Sequence, residues 1–207
     1  MSGNMVENPI AKVDYEEAKK LADLGAIVQD LGFTMKTCSR LKQLLKENSQ
    51  DSLLIESMWT AALIRYARCF ATGKRFGLSE SIFDGLIGEP HKVHKMYMDL
   101  RDKHIAHSVN PFEQMAVGLV LPPQGSRERE IIGVATMSMR HICSDVEGVH
   151  QLGLLSKVLL EKVIEIAKEY EEKTLERGKS IPLEVLYKLP RLGMVAPGSA
   201  LTDKPRS

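Results

Sequence analysis

The octapeptide Leu100-Arg101-Asp102-Lys103-His104-Ile105-Ala106-His107 gathers the residue types that phosphodiester chemistry needs. Histidine titrates near neutral pH, so it can take a proton from a ribose 2′-hydroxyl or return one to the leaving oxygen. Arginine stays charged and offers a planar fork of donors to a phosphate whose negative charge grows in the transition state. Arg101, His104 and His107 supply both kinds of group, with one acid, Asp102, between them in the sequence. One histidine does not easily act as base and acid in the same step. Two copies of the segment meeting across a two-fold axis would fill both roles.

The element that must position these groups is a helix from His91 to about His107, opened by Glu89-Pro90 and ended by Asn110-Pro111. At about 100° per residue, Val93, Met96, Tyr97 and Leu100 share one face. His104 lies on that face and His107 at its edge, while His94 and Arg101 flank it on the other side. Arg101 and His107 thus sit on opposite flanks of His104, and a single subunit is not expected to complete a site.

The rest of the chain reads as helix, hairpin and helix. Tyr15, Ala18, Leu21, Leu24 and Ile27 recur at helical spacing between Asp14 and Leu31; Gly32 is expected to interrupt, and a second piece runs from Met35 to Lys46. Asn48 to Ser52 is a turn cluster in which Asp51 can cap the next helix. That helix, Leu53 to Ala71, is the strongest core candidate, with Leu53, Leu54, Met58, Trp59, Leu63, Tyr66 and Phe70 on a wide apolar face. Arg65 and Arg68 lie on its less apolar side, where they are either solvated or available to RNA. Ser79 to Ile87 suggests a short helix ending at Gly88. Gln114 to Leu121 and Glu130 to Met139 are rich in Val, Ile, Thr and Met and predict a β-hairpin, which is marginal alone and must pack on the helices or pair with another subunit. A long helix follows from Val146 to about Arg177. The predicted fold is mainly α, with one domain over 1–178, a hairpin at about 114–139, a long C-terminal helix, and an irregular, partly disordered tail over 179–207.

Lysine plus arginine number 28 against 27 aspartate plus glutamate, so a nucleic acid would be drawn to a local patch rather than to the whole surface. Cys38, Cys69 and Cys143 are odd in number and show no CxxC pairing, which argues against a disulfide framework and a zinc knuckle. No leader-like segment and no membrane-length apolar run are evident, so the expected location is the cytoplasm. His91-x-x-His94 and His104-x-x-His107 could be read as metal ligands, but a straight helix sets the pairs roughly 15–20 Å apart. No metal and no cofactor are expected. No glycine-rich phosphate loop is present.

Arg101 to His107 resembles the Arg-x(4–6)-His signature of HEPN domains, the all-helical family of many prokaryotic toxins and antiviral ribonucleases. Asp102 fits the polar residue that commonly follows the arginine there. The stretch from Leu100 to Ser108, LRDKHIAHS, is particularly similar to abortive-infection-associated members. The resemblance covers residues 50–110 and leaves the hairpin as an elaboration. It implies a HEPN-type helical bundle, dimerisation through the motif helices, and metal-independent endoribonuclease activity. Arg101 would stabilise the phosphate, His107 would transfer the proton and Asp102 would orient them, with His104, His94, Arg65 and Arg68 supporting or contacting RNA. The implied partners are a second copy, RNA, and a cognate antitoxin or regulatory protein. The plainer alternative is a non-catalytic interaction or nucleotide-binding module. In it Arg101 and Asp102 are surface charges, His104 is a core histidine, and His107 is a cation at a helix C-terminus.

Overall fold

The structure, a computed structural model, describes residues 8–71, 73, 75–105, 113–127, 130–193 and 198, with His104 described by its backbone alone. It is mainly helical. In chain order come α1 (Glu16–Lys46), α2 (Ser52–Arg68), a 3-10 turn (Glu80–Phe83), α3 (Pro90–Leu100), a π-turn (Arg101–Ile105), β1 (Glu113–Val120), β2 (Gly133–Arg140), α4 (Val146–Lys179) and α5 (Leu183–Leu186). Contacts divide the chain into two units, one from residues 22–167 and one from the chain's two ends, through residue 21 and from residue 168.

In the larger unit, Leu24, Ile27, Leu31, Thr34, Cys38 and Leu41 form one continuous buried stripe on α1. Their alternating spacings of three and four carry the helix straight through Gly32, so the expected interruption does not occur. A helical glycine costs about 1 kcal/mol relative to alanine, less than the burial of the residues on either side contributes. Thr34 joins the stripe because its hydroxyl is satisfied within it, donating to the Asp30 carbonyl at 2.9 Å. The start of α2 is as expected: the Asp51 carboxylate accepts from the Leu54 N–H at 2.9 Å. Pro90 stands in the first turn of α3, where its missing N–H is not needed.

Trp59 and Tyr66 of α2 meet Tyr97 of α3 edge to face, each pair with centroids 6.2 Å apart. Such pairs contribute about 0.5–1.5 kcal/mol beyond their buried area. The Tyr97 hydroxyl donates to the Gly148 carbonyl at 2.6 Å, which ties α3 to the first turn of α4. A Cβ at Gly148 would lie 2.1 Å from the Ser144 Oγ, so a larger residue there would force that side chain to turn away. Farther along α4, the Gly153 backbone approaches the Cys38 Cβ so closely that an added methyl would sit at 3.1 Å. Cys38 and Cys69 are buried and free, and burial holds each thiol pKa up at about 12.

The face of α3 turned inward differs from the expected one. Met96 is 41 % exposed, whereas His94 and Tyr97 are buried. The buried stripe is centred about one residue from the position that counting apolar side chains gives, because His94 enters the core with a partner. Its Nδ1 lies 2.9 Å from the Tyr66 hydroxyl, and its ring packs on Phe70 and Phe83 at 4.3 and 4.9 Å.

β1 and β2 pair antiparallel, from Glu113 opposite Arg140 to Val120 opposite Gly133. Every residue of β1, and all but Gly133 of β2, is exposed. The hairpin therefore does not lie on the helices. Its base is tied to α2 by an ion pair between Arg140 and Glu56 at 2.8 Å.

In the smaller unit, the Tyr15 hydroxyl donates to the Thr174 carbonyl at 2.9 Å, and Arg177 stacks on the Tyr15 ring while pairing with Glu17 at 2.8 Å. Part of the stretch expected to be irregular is built: α5 forms one helical turn, and Ala11 and Arg191 make an antiparallel bridge. Among the described residues no helix is long and apolar enough to cross a membrane.

Tyr97→Phe should lower unfolding free energy by about 0.5–1.5 kcal/mol in urea titration, because it removes one buried hydrogen bond without leaving a void, while the Gly148 carbonyl keeps its place in the α4 ladder. Burial holds the His94 pKa below its ordinary value; Glu80 partly opposes this and His91 adds to it. The unfolded chain then binds more protons than the native one below about pH 6.5. Stability contributed by neutral His94 should be intact above that pH and should fall as pH drops towards the native pKa. His94→Gln should remove this component, so a wild-type-like slope between pH 7 and 5 in the variant would count against it.

Candidate functional site

The octapeptide spans a change of helical geometry. α3 ends at Leu100, and Arg101 to Ile105 form a single π-turn packed against α2. A π-turn inserts about one extra residue into the winding, and such turns are frequent at functional sites. A straight-helix projection therefore does not hold within the turn from Arg101 to Ile105, and the angular relation expected of His107 lies outside the described residues.

Arg101 follows Tyr97 by four residues and so leaves the helix beside its buried stripe. Its side chain is 36 % exposed and pairs through Nη1 with the Oδ1 of Asp102, itself 53 % exposed. The adjacent acid thus pairs with the guanidinium at the surface. His107 lies outside the described residues, as does the side chain of His104.

On the outward side of α3, Lys92, Lys95, Met96, Asp99, Leu100 and Lys103 line a surface groove of about 550 Å3, closed on its other side by His141 and Ser144. Asp99 pairs with Lys95 at 3.1 Å and with Lys103 at 3.6 Å. The Lys95 ammonium, with help from Lys103, holds the Asp99 carboxyl below the usual carboxylate range. The groove thus brings together three ammonium groups, one carboxylate and a histidine directly beside the Arg101 turn. Sequence spacing alone carried part of this signal: positions 92, 95, 99 and 103 follow the three- and four-residue steps of one helix face. His141 carried none, since it arrives from the end of β2 through the tertiary fold.

The other expected site residues are placed elsewhere. His94 is a core side chain, 5 % exposed, and its Nδ1 faces Tyr66. A surface role in RNA contact is incompatible with that burial. His91, expected only as its possible co-ligand, faces Glu80 and Asp84 at 3.6 and 3.9 Å instead. Arg65 and Arg68 are not gathered with the octapeptide. They converge on Asp30 of α1, Arg65 through Nη1 at 2.7 Å and Arg68 through Nε at 3.6 Å, and Arg75 joins them at 3.2 Å. Asp30 is buried on the stripe side of α1, a position that an unpaired carboxylate could not occupy.

The chain matches no family model, no curated protein and no solved structure.

Proposed function

We propose that this protein is a HEPN-type endoribonuclease of toxin or antiviral-defence kind, acting in the cytoplasm as a homodimer without a metal ion. The observation that supports this most is the half-exposed Arg101–Asp102 pair on a π-turn at the rim of a lysine-lined groove. Such a groove suits a single-stranded polyanion, because ammonium groups spaced along a helix can follow successive phosphates. In this reading Arg101 stabilises charge on the reacting phosphodiester and Asp102 fixes the guanidinium. His107 moves the proton, and Lys95 and Lys103 carry the flanking backbone. His104 stays a supporting residue, and a second copy supplies the other acid–base group.

The hairpin supports self-association. Nine large apolar side chains from Met115 to Met139 each expose more than half of their surface. Those within the strands divide between the two faces of the ribbon, with Met115, Val117, Leu119 and Val134 on one and Met137 and Met139 on the other. The same feature favours the second reading, a non-catalytic module whose hairpin docks an antitoxin or regulatory protein by strand addition.

Full-length protein should cleave labelled single-stranded RNA with chelator present, and Arg101→Ala or His107→Ala should slow cleavage by about 10²–10⁴-fold. Equal rates in wild type and both variants would overturn the ribonuclease reading. Absence of cleavage by a chain that still self-associates would favour the interaction module. Met137→Lys together with Val117→Lys should shift the chain to monomer in light scattering and reduce cleavage in parallel. Retained dimer in that variant would remove the hairpin from the interface.

A further inference from the structure

The cluster around Asp30 holds more positive charge than its buried carboxylate needs. Asp30 leaves only 2 % of its side chain exposed, and one well-placed guanidinium would satisfy it. Three converge on it from two segments, Arg65 and Arg68 of α2 and Arg75 of the stretch that follows. Arg65 is bonded to Oδ1 and lies over the Phe33 ring with its guanidinium carbon 4.9 Å from the centroid. Arg75 is bonded to Oδ2 and donates a second bond to the Arg68 carbonyl at 2.8 Å. Arg68 approaches Oδ2 only to 3.6 Å, beyond hydrogen-bond range.

This arrangement positions donors without consuming them. A guanidinium carries five N–H groups, and among the described residues the acceptors met by the three are two carboxylate oxygens and one carbonyl. Arg65 and Arg68 keep 40 % and 50 % of their side chains in solvent, against 17 % for Arg75. Two turns earlier on the same helix face stands Asp23, whose Oδ2 accepts from the Phe76 N–H at 2.9 Å. Counting Asp23 with Asp30, the described residues of the cluster still leave one cation in excess. Like charges held around one buried anion repel unless a further anion joins them, and a planar fork matches the oxygens of a phosphate.

We infer that Arg65, Arg68 and Arg75, anchored by Asp30, form a phosphate-binding site separate from the Arg101 groove. Its ligand is a phosphate oxyanion, carried either by an RNA backbone or by a free nucleotide. Asp30 and Arg75 are the fixed base of the site, and Arg68 is its most available donor. The inference does not depend on RNA cleavage, because binding alone reads it out.

The test uses the full chain and three probes: inorganic phosphate, a ribonucleoside monophosphate, and a labelled single-stranded oligoribonucleotide. Phosphate should raise the Tm of the wild type. Arg68→Gln, which leaves Asp30 bonded to Arg65 and Arg75, should abolish that shift, and Arg65→Lys should weaken it. A control variant losing two exposed charges elsewhere, Lys46→Gln with Lys157→Gln, should respond as wild type does. If the RNA backbone is the source, Arg68→Gln should weaken oligoribonucleotide binding at least tenfold and reduce its salt slope by about 0.7. If a free nucleotide is the source, the monophosphate should show that tenfold loss and the oligoribonucleotide should not; either result upholds the site. A wild type indifferent to phosphate, or an Arg68→Gln protein with an undiminished shift, overturns it. Arg101→Ala should keep the shift, so loss of cleavage and loss of this site are read separately.

Discussion

The seam between α2 and α3 is the constraint on which the candidate site depends. Two polar side-chain groups are buried in it, the His94 ring and the Tyr97 hydroxyl, and they are bonded to the Tyr66 hydroxyl and the Gly148 carbonyl. A buried polar group that loses its partner costs about as much as several apolar contacts return. Turning α3 by even one residue would break both bonds at once and bring Met96 or Met98 against the aromatic rings. The rotation of α3 is thereby set by hydrogen bonding as well as by volume. That rotation sends Lys92, Lys95 and Asp99 outward and leaves Arg101 at the edge of the buried stripe.

An arginine at such an edge faces conflicting demands. Its stem can lie along apolar surface, but its charge must reach water or an acid. The π-turn and Asp102 meet both demands: the wider turn changes the direction in which the chain leaves α3, and the adjacent carboxylate pairs the guanidinium at the surface. The local geometry is thus a consequence of where the core seam ends. A site built this way is held on a rigid element up to Leu100 and released from helical periodicity just where chemistry is proposed.

Local rules read much of this fold from sequence because the residues concerned act within a turn or two. Asp51 caps α2, Pro90 opens α3, alternating β-branched and Met residues make the hairpin, and the stripe from Leu152 to Val163 marks α4. The departures from the expected pattern lie where a polar or small residue enters the core. Thr34 and Cys38 complete the α1 stripe, and without them Gly32 looks like a break. His94 belongs to the core, and without it the α3 face is placed one residue off. Arg65 and Arg68 look like solvated charges until Asp30 is known to be buried beneath them. For His94, Arg65 and Arg68 the missing information is the identity of a partner more than twenty residues away, which no periodicity encodes. His141 at the groove is the same kind of case, brought there by the return of the hairpin.

The near balance of charge in the whole sequence conceals this segregation. A sum of 28 cations against 27 anions argues against a general attraction for nucleic acid. Yet the field that a polyanion meets is set by local surplus within about one Debye length, roughly 8–10 Å at ordinary salt. Asp30 counts fully in the sum but is buried beneath its arginines, and Asp99 is tied between two lysines. Both carboxylates act less as repulsive surface charges than as anchors that hold cations in place. The composition therefore constrains the reach of attraction without limiting its strength at a chosen spot, and cations preorganised by acids are better suited to gripping a phosphate than the same number of free side chains.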